Sequence, residues 1–144
     1  MTEVGEKMTD TATTEPDKDT LMETMGLVRT VSSDADTGRT VLEFEAKTSQ
    51  CHSGNIVQGG FVTGWIDAAM AQALIAKTDA KLLPLSLDIK IAFYAAAHPG
   101  LVHAEAWIER LGRKTAFVEG RLTTPDGTVI AKGMSTVRLV PMGS

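Results

Sequence analysis

Apolar and polar residues alternate from Thr40 to Lys47, with Leu42, Phe44 and Ala46 on one side and Glu43, Glu45 and Lys47 on the other. A period of two predicts a strand. Leu27 to Val31 is a shorter candidate, set off by the turn-like Ser32-Ser33-Asp34-Ala35-Asp36-Thr37-Gly38. Four alternating segments close the chain: Ser86–Tyr94, Leu101–Leu111, Thr115–Thr123 and Val129–Val140. His98-Pro99-Gly100, Gly112-Arg113-Lys114 and Pro125-Asp126-Gly127 separate them as turns, so they predict an antiparallel meander. In the first of them Leu87, Ile89, Ile91 and Phe93 share a face, which places Ser86 on the opposite one.

Between the early strands and the meander lies a different pattern. Gly60 to Ala76 carries apolar residues on every side and a single charge, Asp67, and predicts a buried helix ending near Lys77-Thr78-Asp79. A shorter helix is predicted over Thr20–Met25, capped by Gly26. The expected fold is α+β: a long central helix wrapped, and buried on all sides, by a mostly antiparallel sheet of five to six strands.

Composition narrows the setting. A chain of 144 residues with 43% hydrophobic content fits one domain, expected over residues 20–144, with residues 1–19 as a disordered or loosely packed arm rich in Thr, Glu, Asp and Lys. A net charge of -4 with scattered Lys and Arg argues against a nucleic-acid partner. The lone Cys51 allows no intrachain disulfide, and neither a signal peptide nor a membrane-length apolar run is evident, so a cytoplasmic location is expected.

Candidate chemistry centres on the helix. Asp67 is a carboxylate among Phe61, Val62, Trp65, Ile66 and Met70, where a charge is costly and a perturbed pKa is the usual reason to keep one. Gly59-Gly60 at the helix start exposes N–H groups of partial positive charge to which an oxyanion could bind. Together they suggest acyl transfer, with an electrophile polarised at the helix N-terminus and attacked under the control of a buried acid. Each has a plainer reading: helix entry or close backbone packing for the glycines, a loop hydrogen bond for Gln58, a solvated or turn-capping imidazole for His52. His98 and His103 read as structural or exposed, and three histidines with one cysteine give no metal-ligand spacing.

The run Cys51-His52-Ser53-Gly54-Asn55-Ile56-Val57-Gln58-Gly59-Gly60, then Asp67, then Ser86-Leu87-Asp88-Ile89-Lys90-Ile91-Ala92-Phe93-Tyr94, resembles the hotdog-fold acyl-CoA thioesterases of the phenylacetate-pathway (PaaI-like) branch. The likeness runs from about Thr40 to Val140, and the spacing from Gly-Gly to acid is its most specific part. It implies that Gly59 N–H polarises the thioester carbonyl, that Asp67 is general base or nucleophile, and that Ser86 helps orient the nucleophile. It also implies coenzyme A as part of the substrate with no separate cofactor, Gly60 as a CoA contact, and a homodimer or homotetramer. Arg113 and Lys114 are read from their own chemistry as candidate partners of the coenzyme A phosphates, against the plainer reading of a hairpin tip that is basic for solubility alone. The chain departs from the family pattern at Gln58, where many members have His, and at His52, where many have Asn. Gln58 can position a thioester but cannot shuttle protons. Two other readings stay open: a hotdog hydratase or dehydratase using His52 and Asp67, and a non-catalytic acyl-CoA-binding module.

Helix arithmetic bears on assembly. Eight residues separate Gly59 from Asp67, about 12 Å along a helix, whereas a donor and a base acting on one carbonyl must each lie within about 3 Å of the reacting atoms or a bound water. One helix cannot supply both groups to one thioester. Shared sites across a two-fold interface are therefore expected.

Overall fold

Six antiparallel strands form the sheet, in the order β1 (Leu27–Ser33), β2 (Thr40–Ala46), β6 (Gly100–Leu111), β7 (Thr115–Thr123), β8 (Val129–Pro141) and β5 (Leu82–Phe93), with one long helix against it. The computed structural model describes residues 18–143. Helix α1 (Lys18–Met25) begins inside the last two residues of the predicted arm, and the rest of that arm lies outside the described residues. Gly26 ends α1 at φ +86°, as expected of a helix C-terminal glycine, and leads into β1 (Leu27–Ser33), which pairs with β2 (Thr40–Ala46). The loop from Thr48 to Gln58 is more ordered than expected. Its two short 3-10 turns flank and divide a ribbon of two-residue strands, β3 (Cys51–His52) and β4 (Ile56–Val57), closed by Gly54 and Asn55, both at positive φ.

Helix α2 spans Gly59–Lys77. The meander follows as β5 (Leu82–Phe93), β6 (Gly100–Leu111), β7 (Thr115–Thr123) and β8 (Val129–Pro141). Val62, Trp65, Ile66, Ala69, Met70, Ala73 and Leu74 make one buried stripe of α2 at helical spacing. Ile66 nestles into the sheet where Gly120 and Gly133 face each other; a Cβ on either glycine would come within 3.2 Å of its Cγ2. Trp65 stacks on Phe44 and its Nε1–H donates to the Met25 carbonyl at 2.7 Å, tying α1 to α2.

The helix is not buried on all sides. The sheet covers one face, and Gly64, Asp67, Ala68, Ala71, Gln72 and Ile75 form a half-exposed face within the single chain. Small side chains explain why this is tolerable: apolar burial is worth about 0.8 kcal/mol per CH₂, so glycine and alanine forgo little by staying uncovered. Asp67 lies on this face and is therefore half-exposed in the chain alone.

Strand β5 corrects a second expectation. Its pairing with β8 slips between Ser86 and Asp88, and the extra residue of this bulge reverses the alternation. Ser86 thus points to the helix side, the side to which Ile89 and Ile91 also turn, rather than away from it. Asp88 stitches the bulge: its carboxylate accepts from Thr136 N at 2.8 Å and its carbonyl from Ser135 Oγ at 2.7 Å. β5 also starts four residues before its predicted beginning, because an edge strand tolerates Pro84. Leu83, Leu85 and Leu87 stand exposed along this edge. Toward the other edge of the sheet Glu43 on β2, buried by its neighbours, receives His103 Nε2 at 2.7 Å and Arg29 Nε at 3.1 Å, which gives His103 the structural place expected of it.

Candidate active site

Two clusters, not one, carry the candidate residues. The first is at the N-terminus of α2. Gln58, extended at φ -62° and ψ 136°, is the N-cap, and its Oε1 accepts from Gly60 N at 2.9 Å. A Cβ on Gly60 would lie 2.7 Å from that oxygen, so the second glycine of the pair makes room for the cap. Gly60 N–H is thereby already used, which removes it as a backbone donor to coenzyme A. Gln58 keeps its amide Nε2 donors for other partners. Gly59 N–H, the first of the helix, has no acceptor among the described residues and is available to an oxyanion. Phe93 leans over Gly59, its Cζ 3.1 Å from where a Cβ would stand.

Beside Gly59 opens a cavity of about 380 Å³, lined by His52, Ile56, Val62, Phe93, Tyr94 and Ala95 to Ala97. The β3–β4 ribbon brings His52 here. His52 is exposed and lies with Gly59, whereas Asp67 of the same chain borders a different cavity. The His–acid pairing of a dehydratase is therefore not made within one chain.

The second cluster is halfway along α2. Ser86 Oγ donates to Asp67 Oδ1 at 3.2 Å, across from β5 to the helix. Partial burial pushes the Asp67 carboxyl above the ordinary aspartate range, and the Ser86 hydroxyl opposes that rise by favouring the charged form. The bulge in β5 is what makes this contact possible. A cavity of about 490 Å³ opens on Asp67, walled by α1 on one side and α2 on the other.

If Asp67 works as the ionised base or nucleophile, turnover rises with pH through its elevated pKa, and Ser86→Ala, which removes the bond favouring the carboxylate, moves that acid limb to higher pH. A pH–rate profile of both proteins reads the shift. A limb that stays in place would detach Ser86 from the acid.

Arg113 and Lys114 occupy the β6–β7 hairpin and line neither cavity just described; they flank a separate groove together with Arg138. Residue order alone offers no means to add Arg138, which lies on a neighbouring strand. Phe93 and Tyr94 likewise pass for strand residues in the sequence, though two consecutive aromatics at the end of an edge strand are a signal of a surface awaiting a ligand or a partner.

Among the described residues no helix is long and apolar enough to cross a membrane. Residues 54–131 match the family model described as the thioesterase superfamily. Among curated proteins none matches the chain. Among solved structures it is similar to a phenylacetic acid degradation-related protein of Ralstonia eutropha, at 25% identity and TM-score 0.78, covering 86% of this chain and 92% of that one. A mutant form of the phenylacetic acid degradation protein PaaI of Thermus thermophilus is 23% identical with TM-score 0.72, covering 83% and 98%. E. coli PaaI is 17% identical with TM-score 0.77, covering 88% and 87%.

Proposed function

From the premise that the chain belongs to the thioesterase superfamily, and is a thioester hydrolase of hotdog fold, we propose that it hydrolyses acyl-CoA thioesters to the free acid and coenzyme A, with Asp67 and Gly59 N–H as its central groups. The observation that carries this reading is Asp67 itself, a carboxyl raised by burial and held by Ser86 on the one face of α2 that the sheet leaves open.

Gly59 N–H receives the developing oxyanion of the thioester carbonyl. Asp67, ionised, takes a proton from the attacking water, or attacks the carbonyl carbon itself to form a mixed anhydride that water then hydrolyses; in either route the C–S bond breaks, the thiolate departs and is protonated from solvent, and the free acid is released. Ser86 holds the carboxylate in place. Gln58 fixes the helix start through its carbonyl oxygen and offers its amide to the substrate, while Arg113 and Lys114, which border neither cavity, would meet the coenzyme A phosphates only outside them, in the groove they flank with Arg138.

The two clusters lie apart on one chain, since residues 59 and 67 are about 12 Å apart along α2. Each site is accordingly shared: Gly59 of one subunit serves with Asp67 of the partner subunit, in a homodimer or a dimer of dimers. The leucine-rich edge of β5 is the surface that such a partner would cover, and the partner's Gly59 would stand at the Asp67 end of the half-exposed face of α2. Family membership favours hydrolysis over the hydratase and non-catalytic readings.

A panel of acyl-CoA thioesters with a thiol-detecting reagent tests the activity, with release of free coenzyme A expected from at least one member and silence across the panel refuting it. In the same assay His52→Asn should retain activity within about tenfold, because His52 is a polar wall of the Gly59 cavity and not a proton carrier. A collapse would give the imidazole a chemical role.

A further inference from the structure

The cavity on Asp67 has a shape and lining that the hydrolytic chemistry alone does not require. It follows α2 from Gly64 and Asp67 to Ile75, two turns beyond the carboxylate, which is about 12 Å. Its opposite wall is α1, through Leu21, Met22 and Met25. Apart from Asp67 and Gln72 the lining is apolar, and no cationic side chain among the described residues borders it. At about 30 Å³ per water-sized group, its 490 Å³ have room for on the order of ten non-hydrogen atoms with the mouth left open.

α1 is anchored at its C-terminal end. Trp65 Nε1–H holds the Met25 carbonyl, and Met25 Cε fits against Gly64, 3.4 Å from where a Cβ would be. Beyond that anchor Leu21 is 58% exposed. Methionine adapts to contents of variable shape at little cost.

We propose that α1 is the wall of the acyl-chain site: the acyl tail runs from the carbonyl at Asp67 along α2 beneath Leu21 and Met22, and these two residues set the accepted chain length. The substrates are uncharged, extended aliphatic acyl groups. A dicarboxylic acyl group would carry its second carboxylate to the Ile75 end of the cavity, into an apolar lining with no cationic side chain among the described residues to receive it. The pantetheine arm then falls to the Gly59 cavity, whose wall includes Ala95 to Ala97.

This rests on the thioesterase reading, so the test separates the two. S-decyl- and S-butyl-coenzyme A, thioethers that cannot be hydrolysed, are titrated calorimetrically into the full chain and into Leu21→Trp and Met22→Trp. Wild type should bind the decyl compound at least about tenfold more tightly, and tryptophan at position 21 should erase most of that preference. Leu21 is exposed enough for its replacement to leave the fold intact, which circular dichroism verifies. An absent preference in wild type, or one that survives in folded Leu21→Trp and disappears in Phe93→Ala, overturns the assignment of the acyl site. Chain-length-dependent binding without turnover of any thioester would sink the hydrolase reading and keep the site. Turnover of decanoyl- over butyryl-CoA whose ratio neither tryptophan variant alters would do the reverse.

Discussion

Asp67→Asn lowers kcat by on the order of 10²-fold or more while KM for the thioester stays close to that of the parent protein. The amide has the size of the carboxyl and can still accept from Ser86 Oγ, but it can neither take a proton from water nor attack a carbonyl. Loss of folding is not the cause of such a drop. Because burial raises the native pKa of Asp67 above its unfolded value, the native state binds more protons in that interval, and ionisation of Asp67 destabilises the fold as pH rises through it. Above that interval the asparagine variant escapes the cost, so it should melt no lower than wild type. Steady-state kinetics beside a thermal melt check both statements. Turnover near wild type would remove Asp67 from the chemistry.

Gly59→Pro is expected to cost about 10² to 10³ in kcat, the scale of a lost oxyanion donor. The substitution is gentle to the backbone. Proline suits the first position of a helix, and Gln58 already holds the extended conformation that a residue before proline needs. No internal hydrogen bond of Gly59 N–H is broken. The control is Gly59→Ala, which places a Cβ against the same Phe93 ring yet keeps the N–H; it should lose far less. Equal losses in the two variants would assign the damage to Phe93 and not to the donor. The pair Gly59→Pro and Asp67→Asn also tests sharing. Mixed dimers assembled at random from the two inactive chains are half of the total, and each has one intact site, so about a quarter of wild-type activity should return. If donor and acid came from one chain, mixing would restore nothing.

Much of this is visible in residue order. The alternation from Thr40 to Lys47 and through Thr115–Thr123 is a local property, and β2 and β7 lie where it places them. Gly26 and Gly54-Asn55 announce their turns by residue type. Alternation misplaces Ser86 because a bulge is decided by the pairing of β5 with β8, which the pattern within β5 does not encode. The uncovered face of α2 escapes notice because Gly64, Ala68 and Ala71 count as apolar in any periodicity. Their smallness at successive turns is the available signal, since such a face invites close approach. The separation of His52 from Asp67 depends on the β3–β4 ribbon, whose two-residue strands are too short for a pattern.

The bare edge of β5 reaches beyond catalysis. Along its twelve residues about every second one turns its backbone polar groups away from β8, and with the exposed Leu83, Leu85 and Leu87 they make a surface that recruits an extended chain. Pro84 and Lys90 are modest guards, and the Asp88 charge is turned inward to the bulge. In the dimer proposed above this edge would be covered, and resistance to unfolding would then become a property of the solution as much as of the molecule, because every tenfold dilution takes about 1.4 kcal/mol from an associated state that unfolds as it separates.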